Sequence, residues 1–176
     1  AQIFSKGDIA FKIYTDDQFL IPEKKVRELS VLNKDNIIKP KEFVFDKSGK
    51  YIGFTMKFVK DCIPLCKLFT NTFWQDHNVD INHIVKLIEE MQSTTHFIHT
   101  NKCLIVDYNE FNFLADEDKF NIPVFIDVDS YQTSSFPAQA LMESVKDHHT
   151  KGFTELSDWF SFGILACQLF IGIHPF

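Results

Sequence analysis

Three oxygen-bearing side chains in the second half of the chain have types and spacing that suit a metal and phosphate site. Asp107 and Asn112 stand five residues apart in the segment IVDYNEFNFL, and Asp127 follows the apolar run PVFI. A carboxylate and an amide at the two ends of a loop can converge with a carboxylate at the end of a nearby strand. Such oxygen ligands suit Mg²⁺, which binds few protein groups and keeps water and phosphate as its other ligands. Each residue alone is more typical of a turn, so this prediction depends on their combination.

Other reactive side chains carry weaker signals. None of the four cysteines has the spacing of a zinc or redox motif, which predicts reduced, buried thiols: Cys62, Cys66, Cys103 and Cys167. His148 and His149 are adjacent, so they point in different directions on any regular element and are expected to face solvent rather than to bind a metal.

The elements that must position these residues change in character near residue 59. The first part alternates short β-rich runs with turn residues, and a helix opens at Pro22 with Val26, Leu29 and Leu32 on one face. The strands in this part are predicted at residues 1–4, 8–14, 37–46 and 51–59.

The second part is predicted to be mainly helical. Its strongest helix spans residues 81–98, which keep a 3.6-residue apolar period after Asp80, a capping residue. A short helix at 64–73 and an apolar helix at 158–173 flank it. Short strands are predicted at 103–106, 112–115 and 123–126.

Composition excludes several classes of protein. Hydrophobic residues make up 45% and charged residues 24% of the 176 residues, which fits one domain or two small lobes sharing a cleft. The 20 phenylalanines predict a Phe-rich core. The formal charge of −6 comes without a basic run, so a nucleic-acid surface is not expected. No apolar run is long enough to span a bilayer, and the first residues do not resemble a signal peptide. We therefore expect a cytoplasmic protein without membrane partners.

Taken in order, the motifs resemble those of the protein kinase family. Ala10-Phe11-Lys12 is similar to the family's Ala-x-Lys strand, and Glu28 stands where the glutamate of helix C would stand. Met56-Lys57-Phe58-Val59 resembles the gatekeeper and hinge. Asp107 to Asn112 matches the catalytic-loop pattern Asp-x-x-x-x-Asn.

Two further motifs complete the resemblance. Asp127-Val128-Asp129 stands where the family has Asp-Phe-Gly, and the segment from Asp158 to Phe176 is similar to helix F and the residues just after it. The resemblance implies an α+β, two-lobe protein-kinase-like fold. An N-lobe of one small antiparallel sheet and one helix would span residues 1–59, and a mainly helical C-lobe would span 60–176. The pattern is reminiscent of atypical bacterial or phage kinases.

The resemblance also implies a role for each polar residue, with ATP and Mg²⁺ as cofactors. Lys12 would contact the α- and β-phosphates and be held by Glu28. Asp127 would hold Mg²⁺, and Asn112 would hold the same or a second ion. Asp107 would orient an attacking hydroxyl and accept its proton.

The remaining matched residues would shape the site. Met56 would line the back of the adenine pocket, while the backbone of Lys57, Phe58 and Val59 would pair with the base. Asp158 would brace the catalytic loop. Asp129 is either an additional metal ligand or a turn residue, and we favour the turn.

Departures from the family pattern leave three functions open. The family's Gly-rich loop is absent from the 176 residues, and the later C-lobe helices that normally come after helix F are absent too. Val106 replaces the arginine that would read a phosphorylated activation loop, and Asn109 replaces a lysine that touches the γ-phosphate. The main hypothesis is a Ser/Thr kinase acting on a protein substrate. The alternatives are a pseudokinase that serves as a nucleotide-binding or scaffold module, and a small-molecule kinase of related fold. The apolar helix at 160–170 would call for a partner or self-association to cover it.

Overall fold

The computed structural model describes residues 1–138 and 141–176, and its first part is a four-stranded antiparallel sheet with one helix. The strands pair in the order β1-β2-β4-β3. The elements are β1 (Gln2–Lys6), β2 (Ile9–Ile13), α1 (Glu23–Leu29), β3 (Phe43–Phe45) and β4 (Tyr51–Lys57). In the central pair, Ala10 lies opposite Met56 and Lys12 lies opposite Phe54. Lys12 therefore lies on an inner strand of the sheet.

The second part combines three helices with a three-stranded antiparallel sheet, in the order β5-β6-β7. Its elements are β5 (Cys62–Pro64), α2 (Asn71–His77), α3 (Ile81–Thr100), β6 (Phe113–Asp116), β7 (Pro123–Phe125) and α4 (Glu155–Ile171). No helix in the described residues is both long and apolar enough to cross a membrane.

Capping residues set the ends of the two long helices. The Asp80 side chain accepts the N–H groups of Asn82 and His83, which satisfies two of the donors that a helix start leaves open. Thr154 caps α4 in the same way by accepting the Ser157 N–H, so this helix begins at Glu155, before the predicted start at residue 158. Gly172 ends α4 with φ of 76°, a conformation that costs glycine little.

The core lies mainly under the second sheet and between α3 and α4. Its buried side chains include Leu87, Phe113, Phe125 and Leu165. The prediction of a Phe-rich core holds only in part. Phenylalanines buried in the interior are Phe54, Phe113, Phe120 and Phe125, whereas exposed ones are Phe4, Phe19, Phe45, Phe111, Phe170 and Phe176.

Three predicted elements differ from the structure. The strand expected at 37–46 is reduced to Phe43–Phe45, because Pro40 has no N–H to donate. The strand expected at 103–106 is a single bridge between Leu104 and Gln132. The helix expected at 64–73 is interrupted by the extended backbone of Thr70, which ends one 3₁₀ turn and caps α2.

Backbone contacts join the two sheets. Ile37 forms an isolated parallel bridge with Phe125 of β7, and the Ile38 N–H donates to the Phe125 carbonyl at 2.8 Å. The Phe125 N–H donates in turn to the Asn36 carbonyl at 2.8 Å. The chain leading into β3 is therefore fixed directly to the strand that precedes Asp127.

The four cysteines are free thiols, as predicted, but the expected burial holds for Cys103 alone, because Cys62, Cys66 and Cys167 are partly exposed. Burial raises the pKa of Cys103 to about 11, so this thiol is unreactive at neutral pH. The described residues contain no group of three or more His, Cys, Asp or Glu side chains arranged to hold a metal ion.

Candidate active site

Lys12 and Asp127 meet although 115 residues separate them. Lys12 extends from β2, and its Nζ donates to Asp127 Oδ1 at 2.6 Å. Asp127 comes shortly after β7 and has left-handed backbone angles, φ 56° and ψ 32°. A non-glycine residue rarely adopts this conformation, and such strain often occurs at functional sites. The sequence prediction of one site containing both residues agrees with this geometry.

A second carboxylate holds the same lysine. Lys12 Nζ donates to both oxygens of Asp129, at 2.8 and 2.7 Å, and Tyr14 Oη donates to Asp129 Oδ2 at 2.6 Å. Burial by itself would lower the pKa of Lys12, but the carboxylates of Asp129 and Asp127 outweigh burial and raise it. The lysine is therefore charged at neutral pH.

The loop from Asp107 to Asn112 is closed by its own ends. Asn112 Nδ2 donates to the Asp107 carbonyl at 2.8 Å and to its Oδ2 at 3.3 Å. The Ile126 N–H donates to the Asn112 carbonyl at 3.0 Å, which places Asn112 beside the residue that precedes Asp127. The structure thus brings Asp107 and Asn112 together and connects them to the strand end that carries Asp127.

Asp158 lies beneath this loop and is buried. Its two carboxylate oxygens accept the N–H groups of Ile105 and Val106 at 2.8 Å each, and His99 Nε2 lies 2.9 Å from its Oδ2. Val106 has φ of 63°, which is strained for a β-branched residue. The contacts to Asp158 hold this strained backbone in place directly before Asp107, which agrees with the bracing role predicted for Asp158.

A largely apolar cavity of about 210 Å³ opens beside the Lys12–Asp127 pair. It is lined by Ile3, Ala10, Lys12, Ile38, Met56, Lys57, Phe58, Val59, Leu114, Ile126, Asp127 and Asp129. The Phe58 N–H already donates to the Asp8 carbonyl at 2.9 Å and continues the β2–β4 ladder. The Phe58 N–H is therefore not available as a donor to a group bound in this cavity.

Glu28 does not pair with Lys12, which corrects the expected contact. Glu28 Oε2 accepts the Thr133 hydroxyl at 2.6 Å and the Ser135 N–H at 3.2 Å. The Thr133 contact is the main reason that the pKa of Glu28 is lowered. Glu28 thus binds the segment that follows Asp129. The partners of Lys12 are instead Asp127 and Asp129.

The donor set fits a magnesium ion accompanied by phosphates. Among the described residues, no hydrogen bond occupies Asp127 Oδ2 or Asn112 Oδ1. Two protein oxygens are few for a metal, but Mg²⁺ in phosphate-transfer sites uses few protein ligands. The chemistry of these residues is therefore compatible with the predicted metal.

Sequence reasoning missed several residues of this site. Asp129 lies in a 3₁₀ turn (Val128–Ser130), as we favoured, but its buried side chain is also a partner of Lys12, which we did not expect. Tyr14 stands two positions after Lys12, just past the end of β2, so the period of a strand places both side chains on one face. That spacing was the available signal for Tyr14. Leu114 of β6 and Ile126, the residue just after β7, line the cavity, and their apolar character gave no signal of this role.

Comparison with known proteins supports the fold. No family model and no curated protein sequence matches the chain. Among solved structures, the chain is similar to the Cydia pomonella Granulovirus kinase, PK-1, with a TM-score of 0.75 and 19% sequence identity. The match covers 97% of this chain and 64% of the viral kinase. The predicted fold class is confirmed: the chain has an α+β, two-lobe protein-kinase-like fold.

Proposed function

We propose that the chain is a phosphotransferase that moves the γ-phosphate of ATP to a Ser or Thr hydroxyl of a protein substrate in the presence of Mg²⁺. The observation that carries this proposal is the contact between Lys12 and Asp127, which line the same cavity as Met56 and Val59. A cation and a metal-binding carboxylate beside an apolar pocket are the parts that phosphoryl transfer from a nucleotide needs.

Each part of the site has a separate task. The apolar cavity would hold the adenine, with Met56 at its back and the backbone of Lys57 and Val59 as hydrogen-bond partners. Lys12 would neutralise phosphate oxygens. Its ammonium already lies beside the cavity, and it would donate to phosphate oxygens once Asp127 exchanges its contact with Lys12 for the metal ion.

Asp127 and Asn112 would hold Mg²⁺, which supplies positive charge to the transferring phosphoryl group when bound. Asp107 would orient the substrate hydroxyl and accept its proton. Asn112 fixes the Asp107 side chain through the 3.3 Å hydrogen bond, so the base and the metal ligand are positioned by one loop. Positioning and charge neutralisation then provide most of the rate acceleration.

One observation favours a second function, a nucleotide-binding module without transfer. The Met142 N–H donates to Asp107 Oδ1 at 2.8 Å. This contact engages one oxygen of the carboxylate that would have to accept the substrate proton. The alternative therefore predicts nucleotide binding with Asp107 permanently engaged by the chain itself.

A transfer assay separates these functions. The chain is incubated with γ-labelled ATP, Mg²⁺ and a mixture of casein and histone, beside Asp107→Asn, Asp127→Asn and the exposed control Asp118→Asn. The kinase proposal predicts labelled protein with wild type and the control, and a loss of about a hundredfold or more in the other two. ATP binding with no label transferred in wild type would contradict the kinase proposal and support the second function.

A further inference from the structure

The two carboxylates that contact Lys12 are in different environments. The Asp129 side chain is 8% exposed and offers both oxygens to Lys12, whereas that of Asp127 is 42% exposed and offers one oxygen. A buried carboxylate is stable as an anion only when it is paired and hydrogen-bonded. Asp129 is therefore bound to Lys12 by necessity, while Asp127 can leave the lysine and remain solvated.

Two side chains at the end of β2 hold Asp129. Tyr14 donates its hydroxyl to the same oxygen of Asp129 that receives a hydrogen bond from Lys12. Burial and the nearby Asp129 charge raise the pKa of Tyr14 far above its ordinary value, so the hydroxyl keeps its proton and remains a donor. Lys12, Tyr14 and Asp129 thus form one hydrogen-bonded unit.

Helix α1 does not supply a carboxylate to this unit. Glu28 is bound to Thr133 and Ser135, on the segment that follows Asp129. The α1 residue that borders a second cavity beside Lys12, of about 400 Å³, is Lys25. Lys25 is buried, with 5% of its surface exposed, and burial is the main cause of its lowered pKa. Two positively charged lysines repel each other, so the negative charge that pairs with Lys12 must come from outside helix α1.

We propose that Asp129 is the positioning residue of Lys12, and that it takes the part which the family resemblance assigned to Glu28. In this arrangement Asp129 keeps the ammonium aimed at the cavity when Asp127 turns from Lys12 to a metal ion. The two aspartates of the Asp-Val-Asp segment then have separate tasks. The inference deepens the proposed function, on which its nucleotide-dependent part rests.

The first test needs no nucleotide. Lysines of the folded chain are acetylated with limiting acetic anhydride, and the rate at Lys12 is followed by peptide mass spectrometry. Asp129→Asn removes the ion pair that favours the protonated amine, so the Lys12 amine should be acetylated about tenfold faster than in wild type. Glu28→Gln, the matched control, should leave the Lys12 rate within about twofold because Glu28 does not touch Lys12. Unchanged Lys12 labelling in folded Asp129→Asn, or faster labelling in Glu28→Gln than in Asp129→Asn, would overturn the inference.

A milder variant covers the case in which Asp129→Asn fails to fold. Tyr14→Phe keeps the carboxylate and removes one of its hydrogen bonds. Asp129 then has Lys12 as its remaining hydrogen-bond donor and pairs with it more strongly, so the Lys12 acetylation rate should fall by about twofold, opposite in direction to Asp129→Asn. A Lys12 rate equal to that of wild type in folded Tyr14→Phe would contradict the proposed unit.

The second test uses the nucleotide and separates positioning from general damage. Asp129→Asn should weaken binding of Mg²⁺-ATP by about tenfold and leave the affinity for adenosine, which has no phosphates, within about twofold. Equal losses for both ligands would indicate structural damage and contradict the positioning role. If wild type binds no ATP, the proposed function fails, and the acetylation rates alone decide whether Asp129 holds Lys12.

Discussion

The backbone N–H of Val106 lies 2.8 Å from a carboxylate oxygen of Asp158, although the two residues are 52 positions apart. Val106 has φ of 63° and stands directly before the candidate base Asp107. The contact connects helix α4 to the loop that carries the chemistry. A strained loop of this kind keeps its shape only while the surrounding structure holds it.

Asp158→Ala tests how much the loop depends on this contact. The substitution leaves the buried N–H groups of Ile105 and Val106 without acceptors, so we expect a loss of about 3 kcal/mol in the free energy of unfolding. Urea denaturation measures it. The exposed control Asp118→Ala should change stability by less than about 0.5 kcal/mol. A loss for Asp158→Ala no larger than that of the control would show that Asp158 does not support the loop.

Lys12→Met removes the cation of the site. Because Lys12 would neutralise phosphate charge in the transition state, we expect the rate of label transfer from ATP to fall by about a hundredfold. Lys119→Met removes an exposed lysine of the same charge and should leave the rate unchanged. Similar rates in the two variants would exclude Lys12 from the chemistry.

Two glycines test how closely β4 packs against β2: Gly53 lies at this contact, and Gly163 in helix α4 is the control. A Cβ at Gly53 would lie 2.1 Å from the Lys12 carbonyl oxygen, whereas nothing lies within 4 Å of a Cβ at Gly163 in helix α4. Gly53→Ala should therefore destabilise the chain by about 2 kcal/mol and displace the strand that carries Lys12. Gly163→Ala should stabilise it by about 1 kcal/mol, because alanine is the better helix former. Thermal unfolding of both variants checks the pair, and equal shifts would contradict the close approach of β2 and β4.

The lowered pKa of Glu28 predicts the direction in which the free energy of unfolding changes with pH. Its hydrogen bond from Thr133 is the largest cause that lowers its pKa below the ordinary value of 4.5. A lowered carboxyl pKa contributes stability that is present above pH 4.5 and is lost as the pH falls through the lowered value. Unfolding free energies of wild type and Glu28→Gln should therefore converge as the pH is lowered from about 7 towards about 3. A difference that stays constant over this range would show that the Glu28 carboxylate has no such role.

The order of motifs along the sequence predicted the fold and the meeting of Lys12 with Asp127. Helices α3 and α4 were predictable because their apolar segments are long, and Asp80 was a local signal for the start of α3. Thr154, the cap of α4, was not identified, so that helix was predicted to begin three residues late. Lys12 and Asp127 could be paired because each belongs to a motif with a characteristic strand context. The proposed role of each residue in catalysis stays a prediction.

The partner of Lys12 could not be read from the sequence in the same way. Glu28 and Asp129 are both carboxylates at plausible positions, and only the rotation of α1 against β2 decides between them. The residues around Val106 gave a similar difficulty. Their apolar run predicted a strand, but tertiary hydrogen bonds to Asp158 hold the backbone in a loop instead. Such choices depend on contacts between distant segments rather than on local patterns.

The central claim is that Lys12, Asp127 and the neighbouring cavity form one nucleotide and metal site. Isothermal calorimetry of the chain with ATP, in the presence and absence of Mg²⁺, tests it most directly when wild type is compared with Asp127→Asn. We predict that Mg²⁺ strengthens ATP binding to wild type by about tenfold or more, and that Asp127→Asn loses this dependence while it still binds adenosine. Wild-type binding of ATP that is absent, or that is indifferent to Mg²⁺, would contradict the claim.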